Sequence, residues 1–339
     1  MKLQVTMEMI AQDAGVSRAT VSRVFSHPDS VHRSTRNRVF ESANKLGYVR
    51  NEAATRLARK SSDIVGLLLR ETVNPAYAAL HDTLLAETTK LGLLIATMSA
   101  GDYYHDRGEY ARVSKLLTLR PAGMFIASGL IDPSELAPIA EQLPVIVLGR
   151  LLSNVQLAGT QLHNIAYDPV NDSKLVAQAL YEAGHRKVIL CQTTAECSAT
   201  ENLRALTMKR YINELGGHAC VIDDQDLMNA PDRLFEAILD LSTRHGASAV
   251  MFTNDMRALR FMTIAKRRGV KIPDDIGVSG CDGIGQATEL SGLLSVRLPI
   301  ERVCQVATDY MQRFIRSEDA PSAPVQEVFA GTLIGGDTI

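Results

Sequence analysis

The chain has 339 residues, 46% of them hydrophobic, with 22% charged and a formal net charge of −2. That is length enough for two or three domains and apolar content enough for a large buried core. No long apolar run and no charged-then-apolar leader is visible, so neither a membrane span nor a secretory signal is expected, and the cytoplasm is the expected location. Five cysteines (Cys191, Cys197, Cys220, Cys281 and Cys304) form no CxxC pair, so reduced thiols are expected rather than disulfides or a metal site. The modest net charge hides an asymmetry. Residues 1–60 hold 11 Lys and Arg against 5 Asp and Glu, a net of +6, while the remainder holds 25 against 33, a net of −8. A basic head on an acidic body suits a polyanion-binding module joined to a domain of another kind.

In chain order, Thr6 can cap a first helix from Met7 to Ala14, with Met9, Ile10 and Ala14 apolar at helical spacing, and Gly15 ends it. Ser17 caps a second helix that turns Val21 and Val24 inward, with Val16 beside them, and leaves Arg18, Ala19, Ser22 and Arg23 on its outer face. Two short helices around a glycine turn, the second short, polar and cationic, form a helix-turn-helix signature. The second helix of such a unit enters the major groove, where Arg can grip guanine O6 and N7 together, a task that fits Arg18 and Arg23. A third helix runs from Ser34 or Thr35 to about Leu46, with Val39, Phe40, Ala43 and Leu46 on one stripe and Gly47 as its stop. It closes a miniature core. The segment from Asn51 to Arg59 is helix-prone but marginal by itself.

Beyond Ser62, short apolar runs alternate with amphipathic segments. Strands are expected at 64–69, 93–98, 122–127 and 144–148, and again at 187–192, 219–222, 248–253 and 276–280. Alternating strand and helix implies parallel sheets with right-handed crossovers, and two such sets imply two Rossmann-like lobes. Ligands of such sheets sit at the carboxyl ends of the strands. Arg150, Asn254, Asp255 and Asp282 follow predicted strands, and Arg204 opens the helix after the 187–192 region. An Arg/Asp/Asn set can donate to and accept from vicinal hydroxyls. Asp255 is expected to cap the helix after it. His81, Asp82 and Asp168 are weaker candidates, and Arg257 and Arg260 point either to an acidic ligand or to a basic surface.

The runs IAQDAGVSRATVSRVF, VHRSTRNRVFESANKLGY and NEAATRLARKSSDIVGLLL, followed in order by NPAYAALHDTL, RPAGMFIAS, PVIVLGR, YEAGHRKVIL, FTNDMRAL, VKIPDDIGVSGCDGI and LLSVRLPIERV, resemble the LacI/GalR family of bacterial transcription regulators over nearly the whole chain. The resemblance implies a helix-turn-helix head (1–49), a hinge helix (50–61) and a periplasmic-binding-protein-like α/β core (62–339). Within that core, one lobe is expected at about 62–163 plus 292–324, and the other at 164–291 plus 325–339. It also implies phosphate contacts at Thr6, Ser17, Thr20, Thr35, Tyr48 and Asn51, and base reading at Arg18, Ala19 and Arg23. Leu57 falls at the position of a minor-groove wedge in a hinge that orders on DNA. The family usually has Pro where this chain has Arg50. Arg204 and Asp282 match positions that contact the effector, with Asn254 near it and Arg150 a further cleft candidate.

The reading is therefore a DNA-binding regulator, a repressor of a carbohydrate-utilisation operon, with operator DNA, a small effector (sugar, sugar acid or nucleoside) and a second copy of itself as partners. No cofactor or metal is implied. The chain ends without a heptad extension, so a dimer is expected rather than a tetramer. No GxSxG elbow, P-loop, HExxH or strand-borne GxGxxG is present, so an enzyme is not expected. The alternative is a cytoplasmic sugar-binding protein without regulatory DNA binding, against which the basic head argues.

Overall fold

The computed structural model describes residues 5–48, 62–100, 108–223, 231–317, 319–321 and 323–339. Residues 1–62 and 63–339 form two compact units. The first unit holds α1 (Met7–Ala14), α2 (Arg18–Ser26) and α3 (Arg33–Leu46). Gly15 takes the left-handed conformation at φ 64° and reverses the chain between α1 and α2, a geometry that a residue with a Cβ adopts only with strain. Ile10, Ala11, Ala14, Val21, Val24, Val39 and Ala43 are buried together. Two residues of the predicted inward stripes differ: Met9 is 39% exposed and Phe40 is 40% exposed. Ala11 takes the inner position in α1, and Phe40 meets Phe25 edge-on at 5.8 Å between ring centroids. The helix α3 begins at Arg33, before the expected start, because His32 Nδ1 accepts from the Ser34 N–H and caps it.

The second unit begins with β1 (Ile64–Leu69), α4 (Pro75–Lys90), β2 (Leu94–Ser99), α5 (Glu109–Leu117), β3 (Gly123–Ala127), α6 (Pro133–Ala140), β4 (Val145–Gly149), α7 (Asn154–Leu157) and β5 (Leu162–Tyr167). The chain then crosses to a second lobe with α8 (Pro169–Glu182), β6 (Lys187–Gln192), α9 (Ala199–Glu214), β7 (His218–Asp223), α10 (Pro231–His245), β8 (Ala249–Met251), α11 (Asp255–Arg267), β9 (Gly277–Ser279), α12 (Gln286–Leu290) and β10 (Ser295–Arg297). It returns through α13 (Ile300–Arg316) and β11 (Gln326–Phe329), and ends with β12 (Thr332–Ile334) paired antiparallel to β10. The first sheet has the parallel order β11-β5-β4-β3-β1-β2 and the second the order β7-β6-β8-β9. Helices cover both faces of the first sheet, burying Phe125, Ile146 and Ile165 on one side and Met124, Val145 and Val147 on the other.

The lobe boundaries differ from the expected ones. Residues 162–167 and 326–329 both belong to the first sheet, so the chain leaves the first lobe after β5 rather than at 163. Leu293, Leu294 and Val296 pack in the cores of the second lobe, so the return falls near 297 rather than 292. The last crossing lies near 330. The strand β5 reads LHNIAY, and its two polar residues break the apolar run that marks a buried strand. Both are satisfied inside: Asn164 accepts from the Leu152 N–H (2.9 Å) and donates to the carbonyls of Val147 (3.1 Å) and Arg150 (2.8 Å), while His163 Nδ1 accepts from the Val325 N–H at 3.2 Å.

Candidate functional site

In the head, Arg18, Ala19, Ser22 and Arg23 are all exposed on one side of α2, opposite buried Val21 and Val24. Arg18 Nε lies 3.7 Å from Glu8 Oε2, both side chains being largely exposed, so this pair is weak and yields readily to another acceptor. Thr6 and Ser17 cap α1 and α2 by accepting from the N–H groups of Met9 (3.4 Å) and Thr20 (3.1 Å). Accepting leaves the hydroxyl proton available to a phosphate. The Ser17 and Thr20 hydroxyls lie 2.9 Å apart, so one donates to the other and one proton remains. Thr35 is half-buried in the first turn of α3, and the Tyr48 ring rests on Phe25 at 5.5 Å. Asn51, Leu57 and the hinge lie outside the described residues.

In the core, Arg150, Arg204, Asn254 and Asp282 line a single cavity between the lobes, the usual setting of a small-molecule site. Each arrives from a strand end or a following helix. Arg150 follows β4, and its Nη1 donates to the carbonyls of Gly129 (3.3 Å) and Ile131 (3.2 Å), holding the loop after β3. Arg204 stands in α9 and is 3% exposed. Its Nη1 donates to the carbonyls of Thr253 (2.9 Å) and Cys281 (3.2 Å) and to Asp282 Oδ1 (3.1 Å), while its Nε has no partner. Burial opposes the Arg204 charge, but the surrounding groups, including the Asp282, Asp172 and Glu201 carboxylates, raise its pKa further. Burial pushes Asp282 up to about 7 against the pull of Arg204.

Asp282 is held through its backbone. Its N–H donates to Ser295 Oγ at 3.2 Å, and Ser295 in turn donates to Asp255 Oδ1 at 2.6 Å. Asp255 Oδ2 also accepts from the Gly283 N–H (2.8 Å) and the Thr288 hydroxyl (3.0 Å). Asp255 is therefore not the helix cap it was expected to be. Asn254 caps α11 instead, accepting from the Arg257 N–H at 3.0 Å, and Asp255 clamps the turn that presents Asp282. Gly283 sits at φ 63°, and a Cβ there would overlap the Arg297 backbone. Three weaker candidates lie off the cavity lining. Asp168 caps α8, and His81 bonds Thr97 and Asp82 on the outside of the first lobe. Arg260 is exposed, whereas Arg257 turns toward Glu201 Oε2 (3.6 Å).

Sequence reasoning missed Glu201, Tyr77 and Tyr167, which also line the cavity. Burial pushes the Tyr77 phenol up to about 12. Ser198-Ala-Thr-Glu201 has the spacing of a capping box, and Ser198 does accept from the Glu201 N–H at 3.3 Å. The Glu201 side chain, however, accepts from Thr253 Oγ1 and Asn254 Nδ2, both at 2.9 Å. The motif alone pointed to a cap, not a cleft.

Residues 6–51 match the family described as bacterial regulatory proteins, lacI family, and residues 177–339 match a periplasmic binding protein-like domain. The chain is 28% identical to the HTH-type transcriptional regulator AscG of Escherichia coli, over 98% of each chain. It is 26% identical to the regulator GalR of the same organism, over 97% of this chain and 94% of that one. Among solved structures it is similar to the Lac repressor dimer bound to operator and the anti-inducer ONPF, with a TM-score of 0.78 and 20% identity over 98% of each chain. It is also similar to a complex of the transcriptional regulator CelR with cellobiose, with a TM-score of 0.68 and 22% identity over 99% of this chain and 100% of that one. The chain thus joins a lacI-family helix-turn-helix head to a periplasmic-binding-protein-like domain, and the relatives it matches over nearly their whole length are transcription regulators of the LacI/GalR type.

Proposed function

We propose that this regulator represses a carbohydrate-utilisation operon, reading a near-palindromic operator as a homodimer under the control of a small polyhydroxylated effector held in the inter-lobe cleft. The observation that carries the reading is the convergence of Arg150, Arg204, Asn254 and Asp282 on one cavity whose walls come from both lobes. A ligand that touches both walls binds one degree of lobe closure better than another and so shifts the equilibrium between them. The lobes are linked by the chain crossings and, across the cleft, by the Arg70 guanidinium donating to the Cys197 carbonyl at 2.9 Å. Lobe closure in turn resets the spacing of two heads on DNA. Arg18, Ala19 and Arg23 read bases in this scheme, and Thr6, Ser17, Thr20, Thr35, Tyr48 and Asn51 set register on the phosphates. A similar regulator whose solved structure holds cellobiose supports a carbohydrate effector.

Selection of bound sites from a random duplex library by the full chain tests the first half of the proposal. Enrichment of a two-fold symmetric site is expected, and its release or tightening by one member of a carbohydrate panel tests the second half. No enrichment would leave only a carbohydrate-binding role.

A further inference from the structure

Glu201 lies in the first turn of α9, three residues before Arg204, and lines the cavity. Its Oε2 accepts from Thr253 Oγ1 and Asn254 Nδ2, both at 2.9 Å, with Arg257 Nη2 at 3.6 Å. Its Oε1 receives no donor among the described residues. Asp282 repeats the arrangement: Oδ1 takes Arg204, and Oδ2 receives no donor among the described residues. The cations on this wall already have acceptors. Arg204 Nη1 serves two carbonyls and Asp282, and Arg257 Nη1 donates to Thr193 Oγ1 at 2.6 Å. The wall of the second lobe therefore presents two carboxylate oxygens and, from Arg204, two nitrogens without an acceptor among the described residues, Nε and Nη2. Burial opposes the Glu201 charge, but Arg257, Arg70 and the Thr253 hydroxyl outweigh it and hold the carboxyl below its ordinary pKa. A hydroxyl arriving here finds an acceptor. An acid group set against Glu201 meets like charge in a half-dry site.

We propose that Glu201 is a specificity-determining residue of the cleft, selecting an effector that sets hydroxyl donors against the second-lobe wall and rejecting the counterpart that carries an acid group there. The proposal rests on the cleft being the effector site. It also gives Arg257 a role: the cation that by sequence could have signalled an acidic effector is neutralised by Glu201 instead.

The test is titration calorimetry of the full chain with matched probes: glucose, glucosamine and glucuronate; galactose, galactosamine and galacturonate; cellobiose and cellobionate. Wild type is expected to bind a neutral or amino member on the order of tenfold tighter than its acid partner, or more. Glu201→Gln keeps the shape, removes the charge and should shrink that gap to about threefold or less. An acid that binds wild type as well as its neutral partner, or a gap that Glu201→Gln leaves intact, would overturn the proposal while leaving the cleft reading in place. Should Glu201→Gln fail to fold, the wild-type order alone decides, with amine and neutral ahead of acid expected and acid first overturning it. If wild type binds none of the probes, the carbohydrate reading of the cleft fails and this proposal with it.

Discussion

Head and cleft are put together over very different stretches of chain. In the head, Thr6 acts on the Met9 backbone and Ser17 on that of Thr20, each three residues away. In the cleft, Arg204 reaches Asp282 across 78 residues, and Thr253 reaches Glu201 across 52. Capping chemistry is a property of neighbours and stays near water, so each cap carries little energy. The cleft pairs exist only once the second sheet has formed, and burial makes losing one partner costly.

The largest effect expected from this contrast is at Asp282. Asp282→Ala leaves the Arg204 guanidinium, 3% exposed, without its carboxylate, and should lower core stability by about 3–5 kcal/mol in urea denaturation, since a buried charge loses its partner. A loss below about 1 kcal/mol would mean that the two carbonyls on Arg204 suffice and that the cleft behaves as locally as the head.

His163 gives the next effect and separates the two lobes. Burial lowers its pKa from 6.5 to about 4, and its Nδ1 must stay unprotonated to accept from Val325. Its contribution is thus complete above pH 6.5 and falls away as the pH drops toward 4, by about 2–3 kcal/mol. Asp172 and Asp282 are raised to about 6 and about 7, so they work in the opposite sense, weakening the second lobe as the pH rises through those values. Subtracting the stability-versus-pH curve of His163→Asn from that of wild type should leave a difference that shrinks between pH 6.5 and 4. A flat difference would show that His163 titrates normally.

On the head, Arg23→Ala should weaken specific DNA binding by about 1–3 kcal/mol and relax preference at one base pair per half-site. Equal loss on specific and random duplexes would demote Arg23 to a phosphate contact. The smallest effect is Ser17→Ala, about 1 kcal/mol off the head's own unfolding transition from loss of the cap, read by thermal melting. A loss as large as that of Asp282→Ala would erase the contrast.

The same contrast governs what the sequence made legible. Both caps, the Gly15 turn and the outward face of α2 followed from spacing alone. Fully apolar strands such as IVGLLL and PVIVL were equally plain. The strand β5 was not, because His163 and Asn164 are polar residues whose partners, Val325 and Leu152, lie elsewhere in the chain. Strand ends located Arg150, Arg204, Asn254 and Asp282. The exchange of roles between Asn254 and Asp255 depends on where Ser295 and Thr288 fall in space, and adjacent residues of similar chemistry give no sequence clue to it. Glu201 was hidden by a capping pattern that its backbone obeys and its side chain does not.

The sixth strand of the first sheet, β11, comes from residues 326–329 and pairs with β5 at 162–167, while Thr338 accepts from the Leu294 N–H and donates to the Val278 carbonyl in the second lobe. Both lobes thus wait for the same last segment of polypeptide. During synthesis the β5 edge stands open, with unpaired backbone groups, until residues 326–329 have left the ribosome, which is when an exposed sheet edge is most prone to pair wrongly. Neither lobe can be excised by a single cut, and truncations near the carboxyl end should damage the two together.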